Sequence, residues 1–240
     1  MMKLTAKILP LIAATGLAFA ANPALADTIP LDASKVGSSH TFNFNGFSDG
    51  TVVDGLTSSA TFTLTGVASN SYTFDYSLTN TTSDPVNSRV SSFAFNTNPN
   101  ISSASATGAF SYATVGSSYP NGIGAIDVCF KDAATGSCAG GGSGGLLDGQ
   151  TGTGTFTLNF SQPLTSLTLS DFYVRYQSVS GAGNITSASG AGTLTSSGSS
   201  STGGTSVPEP GMLGLMGGAA AALVLLRRRR QTVRRAPAFA

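Results

Sequence analysis

Cysteine, histidine and glutamate, which supply much of protein catalysis and metal binding, are scarce in this chain of 240 residues. Cys129 and Cys138 are the only cysteines. Outside the cytoplasm an isolated pair is most simply a disulfide, and closing a loop of this size contributes roughly 2–3 kcal/mol. A redox pair usually has Cys-x-x-Cys spacing, and a zinc site needs more ligands. We therefore predict a structural disulfide.

His40 is the only histidine, so a serine-histidine-aspartate site would have to use it. No nucleophile-elbow motif accompanies it, and it continues the alternating face of Phe42 and Phe44. Glu209 is the only glutamate, so a glycosidase would need two aspartates. The candidates for that role are Asp49, Asp54, Asp75, Asp127, Asp132, Asp148 and Asp171. Asp49 and Asp54 each precede a glycine, as turn residues do, and we predict no enzymatic activity.

Calcium is the one cofactor that the acidic residues could bind. Asp127, Asp132 and Asp148 flank the segment between the cysteines, and hard cations prefer clustered oxygen ligands. The Asp-x-Asp-x-Asp-Gly spacing of calcium loops is absent. We therefore favour solvated loop aspartates and no cofactor, with a calcium site at these three residues as the alternative.

The elements that must position these residues are β-strands. Apolar and polar residues alternate with period two, which is typical of half-buried strands. The apolar phases are Phe42/Phe44, Phe62/Leu64, Tyr72/Phe74/Tyr76/Leu78, Ile126/Val128/Phe130, Phe156/Leu158/Phe160 and Phe172/Val174/Tyr176. Turn signals separate them at Asn45-Gly46, Asp49-Gly50, Asp54-Gly55 and Asn121-Gly122. This pattern predicts an all-β fold, a two-sheet antiparallel β-sandwich of jelly-roll-like type.

Two segments break the alternation. Gly140–Gly145 reads Gly-Gly-Gly-Ser-Gly-Gly and predicts a flexible loop inside the domain. Ser196–Ser206 contains only Ser, Thr and Gly, so it cannot bury a core. We therefore place the sandwich at residues 27–194 and a linker at 195–206.

Residues 1–26 have the features of a secretory signal peptide. Lys3 and Lys7 precede an apolar region, Ile8–Ala21, and Ala24-Leu25-Ala26 forms an Ala-x-Ala cleavage site. Cleavage between Ala26 and Asp27 is predicted, with Ala18-Phe19-Ala20 as a second candidate site. The protein is therefore expected to be exported.

The charge of the exported part differs from that of the whole chain. Between Asp27 and Ser206 there are four basic residues and ten aspartates, so the formal charge is 4 − 10 = −6. Such an acidic domain is not expected to bind nucleic acid.

The C-terminal segment at residues 207–235 has three parts, followed by a short tail at 236–240. Pro208-Glu209-Pro210 precedes sixteen uncharged residues, Gly211–Leu226, and then the cluster Arg227, Arg228, Arg229 and Arg230. Sixteen helical residues reach only about 24 Å, against a hydrocarbon core of roughly 30 Å. We predict a short transmembrane helix at 211–226, with the arginines on the cytoplasmic side and the domain outside.

This order resembles the PEP-CTERM sorting signal of Gram-negative bacteria, whose tails are recognised by a membrane-embedded exosortase. The resemblance implies an inner-membrane intermediate that is cleaved at or near Pro208–Pro210. It also implies that the cleaved protein reaches the outer surface or the extracellular matrix. Upstream, Val36-Gly37-Ser38-Ser39, Phe42–Gly46 and the Cys129/Cys138 pair resemble the cistern-family subgroup.

The expected role is that of a structural or interaction component of the cell surface or of a polysaccharide matrix (biofilm). A matrix-polysaccharide-binding module is the alternative, because sandwich modules often stack sugars on exposed aromatic rings. The aromatic residues outside the inward phase are Tyr112, Tyr119 and Tyr173. An aspartate-based glycoside hydrolase is the third hypothesis.

Overall fold

Antiparallel β-structure makes up nearly all of the computed structural model, which describes residues 27–135, 137–141 and 143–198. The strands are β1 Ile29–Leu31, β2 Ser39–Ser48, β3 Thr51–Ala68, β4 Ser71–Asn80, β5 Asn87–Asn98, β6 Ser103–Ala106, β7 Tyr112–Tyr119, β8 Gly124–Lys131, β9 Leu146–Leu147, β10 Thr151–Asn159, β11 Leu167–Ser180 and β12 Ser187–Gly198. Ala33–Lys35 and Gly108–Phe110 form short 3-10 turns. Within the ranges described, no helix is long and apolar enough to cross a membrane.

The strands form one continuous sheet, in the order β6-β10-β4-β3-β2-β12-β11-β5-β8-β7, with β1 paired to β11 and β9 to β5. The all-β antiparallel prediction is confirmed. The two expected layers, however, belong to a single sheet, because β12 pairs with β2 on one side and β11 on the other. The predicted transmembrane helix lies outside the described residues.

Aromatic side chains fill the space between the two halves of this sheet. Phe156 of β10 lies 4.7 Å from Phe130 of β8, between ring centroids, although their strands are far apart in the sheet order. Phe42 of β2 stacks on Phe172 of β11 at 4.1 Å. The sheet therefore curls until its two halves pack on each other, and the predicted apolar phases form the core.

Two of the four predicted turns join strands. Asp49-Gly50 and Asn121-Gly122 have positive φ at both residues, as type I′ hairpin turns require. Asn45-Gly46 and Asp54-Gly55 instead lie inside β2 and β3, where the register of the pair shifts between Asn45 and Phe47. Gly46 is required there by packing, because a Cβ on it would lie 2.5 Å from Leu56 Cδ2. The turn prediction was wrong at these two sites.

The described part of Gly140–Gly145 packs closely against the domain. Gly140 and Gly141 are buried, and the loop lies against β5 and Asp132. A Cβ on Gly140 would lie 2.4 Å from the Ser91 carbonyl, and one on Gly145 would lie 2.3 Å from the Val90 carbonyl. These glycines permit close packing of the backbone, and the flexibility of the loop stays a prediction.

The domain also extends beyond its predicted boundary. The final strand, β12, continues past Leu194 to Gly198, with a bulge between Leu194 and Ser196. Ser196, Ser197 and Gly198 pair with Thr41, His40 and Ser39. Pairing to β2 therefore recruits the first four residues of the predicted linker, although they have little apolar surface to bury.

Candidate functional site

The cysteine pair forms the predicted disulfide. Cys129 and Cys138 are bonded, with their Cα atoms 5.8 Å apart, and both are fully buried. They pack with Ala94, Tyr119 and Ile126 in a small cluster separate from the main core. This cluster covers the second face of β5, whose middle residues are buried on both sides.

Hydrogen bonds attach the disulfide loop to β5. Ser92 Oγ donates to the carbonyl of Cys138 over 2.6 Å, and Ser91 Oγ donates to that of Ala139 over 2.7 Å. Lys131 donates through Nζ to Thr114 Oγ1 at 2.7 Å and to the Thr135 carbonyl. Burial lowers the pKa of Lys131. These hydrogen bonds hold the described part of the loop against β5 and β7.

The three aspartates considered for calcium accept hydrogen bonds from different segments of the protein. Asp127 accepts from the Thr97 amide at 2.8 Å, and Asp132 accepts from the Gly141 amide at 2.7 Å. Asp148 accepts from the Ser88 amide at 3.1 Å and from Asn80 Nδ2 at 3.1 Å. Across the described residues, no three acidic, histidine or cysteine side chains lie close enough together to hold a metal ion. The structure therefore does not bring these aspartates into one site.

The three tyrosines considered for sugar stacking differ in exposure. Tyr119 is buried and its hydroxyl lies 3.0 Å from Ser92 Oγ, so the expectation that it is available to a ligand was wrong. Tyr112 is 45% exposed. Tyr173 is half-buried and its ring centroid lies 6.0 Å from that of Tyr119. Tyr112 and Tyr173 remain accessible.

Tyr173 lines a pocket with two carboxylates. This pocket, of about 150 Å³, is formed by Asp27, Asp171, Phe172, Tyr173, Ala191 and Gly192. Asp171 has a positive φ of 54° and accepts from Asn96 Nδ2 at 3.1 Å. Burial, and next the charge of Asp171, raise the pKa of Tyr173. A pocket of this volume does not enclose a sugar, but a half-buried ring beside carboxylate acceptors can contact the apolar face and the hydroxyl donors of one sugar unit.

A second pocket, of about 220 Å³, surrounds the only histidine. It is lined by Pro30, Lys35, Ser38, His40, Ser197 and Gly198, and we call it the His40 pocket. His40 is a strand residue of β2, as predicted, and it continues the inward phase of Phe42 and Phe44. Within the described ranges, neither ring nitrogen of His40 has a hydrogen-bond partner, and the Oγ of Ser38 has none. Burial, and next the charge of Lys35, lower the pKa of His40.

Hydroxyl groups cover the outer face of β2, β3, β4 and β10, which we call the threonine face. Thr41, Thr61, Ser77 and Thr153 lie in register across the four strands. Hydroxyls of paired strands bond to each other, as in Thr41–Thr61 and Thr79–Thr151, both at 2.8 Å. The face comprises Thr41, Asn43, Ser59, Thr61, Thr63, Thr73, Asp75, Ser77, Thr79, Thr151, Thr153, Thr155 and Thr157, with Asp75 as its charged member.

The C-terminal segment contains a protein-sorting motif. The family model described as the PEP-CTERM protein-sorting motif matches residues 206–230. This chain carries the PEP-CTERM sorting motif. No curated protein and no solved structure matches the chain significantly.

The PEP-CTERM motif is an exosortase recognition signal, and it implies export in Gram-negative bacteria. The matched residues include Pro208-Glu209-Pro210 and the cluster Arg227–Arg230, both named from the sequence. These positions, the signal cleavage site after Ala26 and most of the linker lie outside the described residues. Membership of the cistern subgroup stays a prediction.

Sequence reasoning missed the pocket-lining roles of three residues, Asp27, Lys35 and Ser38. Asp27 appeared only as the first residue after signal cleavage, and its carboxylate reaches the amide of Leu194 at 2.5 Å. Ser38 carried one available signal, because it shares the inward phase of His40, Phe42 and Phe44. A serine and a histidine at the end of an apolar phase indicate that the core becomes polar there.

Proposed function

We propose that this PEP-CTERM protein is a non-catalytic structural or interaction component of the cell surface or extracellular polysaccharide matrix. The sorting motif at residues 206–230 carries this proposal. In the proposed order of events, the helix at 211–226 first anchors the protein in the inner membrane. The exosortase then cuts near Pro208–Pro210. The disulfide-closed β-domain is then delivered to the outer surface or the matrix.

The threonine face supports a role in a hydrated matrix. Its hydroxyls and one asparagine amide are donors and acceptors, whereas a face rich in apolar side chains would favour self-association. Asp75 is its one charged side chain and already accepts from Thr155 Oγ1 at 2.9 Å. A hydroxyl-rich surface with a single negative charge suits contact with water and with hydroxyl-rich polymers.

The intact mass of the mature protein, from cells with and without the exosortase, tests the sorting step. We expect loss of residues 1–26 and truncation near Pro208–Pro210 only in cells with the enzyme. The mass remaining after truncation also measures any attached group. Replacing Arg227–Arg230 with glutamine should block truncation, whereas Arg234→Gln, outside the matched residues, should not. Retention of the arginines in both strains would contradict the proposal and indicate a membrane anchor.

Location tests the proposed role itself. We expect antibody to label the protein on intact cells or in the extracted matrix, and deletion of its gene to alter matrix cohesion or cell-surface adhesion. A processed protein found only in the periplasm would contradict the proposed role without affecting the sorting step.

The polysaccharide-binding alternative is favoured by the pocket at Tyr173. There a half-buried ring is accompanied by Asp27 and Asp171, which could accept hydrogen bonds from sugar hydroxyls. Under this alternative, Tyr173→Ala abolishes retention of the exported protein on matrix polysaccharide. Tyr112→Ala is the matched control, because Tyr112 is exposed but does not line this pocket. Release of reducing ends, lost in Asp171→Asn, would instead support the aspartate-based hydrolase.

A further inference from the structure

The His40 pocket concentrates polar atoms that have no hydrogen-bond partner among the described residues. Ser38 is only 4% exposed, and its Oγ is one of these atoms. The two ring nitrogens of the half-buried His40 are the others. Buried polar groups are nearly always hydrogen-bonded, so unpartnered groups that line one pocket indicate that something else binds them. The pocket is smaller than the roughly 300–1,000 Å³ that holds drug-sized ligands. It therefore suits one small polar group.

The charge at the pocket selects an anion. In the described part of the chain, three of the four basic side chains donate to protein oxygens: Arg89 to Gly144, Lys131 to Thr114 and Arg175 to Ser187. Lys35, the fourth, has no such acceptor within that part and lines the His40 pocket. An ammonium, a hydroxyl and an imidazole N–H are all donors, and together they match an oxyanion.

The strands explain why these groups converge. The inward phase of β2 passes from Phe44 and Phe42 to His40, and the same direction continues to Ser38 just before the strand. His40 pairs with Ser197 of β12, where the sheet ends, so the pocket opens to solvent beside an exposed residue. The 3-10 turn at Ala33–Lys35 then places Lys35 over this end of the core.

We propose that the His40 pocket binds a small oxyanion, a carboxylate or a phosphate group, through Lys35, Ser38 and His40. Lys35 supplies the positive charge, Ser38 donates from the buried wall, and an imidazole N–H of His40 donates from the inward phase of β2. Asp32, in the same turn, accepts from the Ser34 amide at 2.7 Å, and hydrogen bonds from Ser34, and next the charge of Lys35, lower the pKa of Asp32. This site is separate from the threonine face and from the Tyr173 pocket, and it does not rest on the proposed function.

The only histidine makes this proposal directly measurable, because its ring gives one set of imidazole resonances by NMR. The exported protein is titrated with acetate, glucuronate, inorganic phosphate and, at matched ionic strength, chloride. We expect a saturable shift of the His40 resonances with at least one oxyanion at millimolar concentration, and none with chloride. Saturation by acetate and glucuronate assigns a carboxylate, and saturation by phosphate alone assigns a phosphate group.

Variants separate binding in the pocket from general charge effects. Lys35→Gln should weaken binding by roughly tenfold or more, and Ser38→Ala by several-fold, because each removes a donor. Arg89→Gln is the control, since it removes the same charge outside the pocket. The absence of a saturable shift with every oxyanion would overturn the proposal, and so would equal binding by Lys35→Gln and the unmodified protein.

Discussion

The hydroxyl of Tyr176 lies 2.8 Å from Ser58 Oγ, although their strands, β11 and β3, do not pair with each other. The same hydroxyl lies 3.3 Å from the carbonyl of Phe44. Tyr176 and Ser58 are both buried, and 118 residues separate them along the chain. This side-chain hydrogen bond therefore connects two strands that no backbone hydrogen bonds connect.

Replacing Tyr176 with phenylalanine should therefore destabilise the fold by about 1–2 kcal/mol, because it leaves the buried Ser58 hydroxyl without this partner. Tyr72→Phe is the matched control, since Tyr72 is equally buried but its hydroxyl has no hydrogen-bond partner among the described residues. That change should be neutral or stabilising. Urea unfolding of both variants checks the difference, and equal losses would argue against the role given to the Tyr176 bond.

Removal of the disulfide is a second test. The double change Cys129→Ala and Cys138→Ala should lower the free energy of unfolding by roughly 2–3 kcal/mol, because the unfolded chain gains the freedom of an open loop. The same loss should follow reduction of the unmodified protein by a thiol. If the urea midpoint is the same before and after reduction, the loop is held by its hydrogen bonds to β5 alone.

A third prediction concerns close backbone packing at Gly154 in β10. A Cβ at this position would lie 2.1 Å from the carbonyl oxygen of Thr107, so the backbone must move to admit it. We expect Gly154→Ala to cost about 1–3 kcal/mol in thermal or urea unfolding. Gly66→Ala in β3 is the control, because the nearest atom there is 3.9 Å away. If the two variants have similar free energies of unfolding, the backbone of β10 accommodates the added Cβ at little cost and the prediction is wrong.

The fourth prediction is a pH dependence that His40 alone produces between pH 7 and pH 5. Burial and Lys35 lower the folded-state pKa of His40 below its ordinary value of 6.5. Protonation therefore favours the unfolded chain. The stability contributed by neutral His40 is complete above pH 6.5 and is lost as the pH falls through the folded pKa.

His40→Gln should remove this slope of unfolding free energy against pH in that range, because no other histidine is present. Lys35→Gln should reduce the slope and raise the pKa of His40, which NMR measures directly. A slope that persists unchanged in His40→Gln would assign the effect to the carboxylates instead.

Local patterns in the sequence determined much of this protein. The alternation of apolar residues in Tyr72–Leu78 specifies a strand with one buried face, because side chains alternate across a sheet whatever its partners are. Cys129 and Cys138 are the only two cysteines, so no other pairing exists within the chain. The sorting motif is also local, since its order of proline, apolar and arginine residues is read along the chain.

Tertiary structure decided which strands pair and what covers them. The joining of two layers by β12 depends on its pairing to both β2 and β11, which no local pattern encodes. Tyr119 is buried because the disulfide loop and Tyr173 pack around it, and the glycines after Cys138 allow close backbone packing against β5. The His40 pocket likewise forms only where Lys35, the inward phase of β2 and the end of β12 meet. Such sites arise from contacts between segments that are distant in the sequence. These contacts form only when the chain is folded, so no local pattern predicts them.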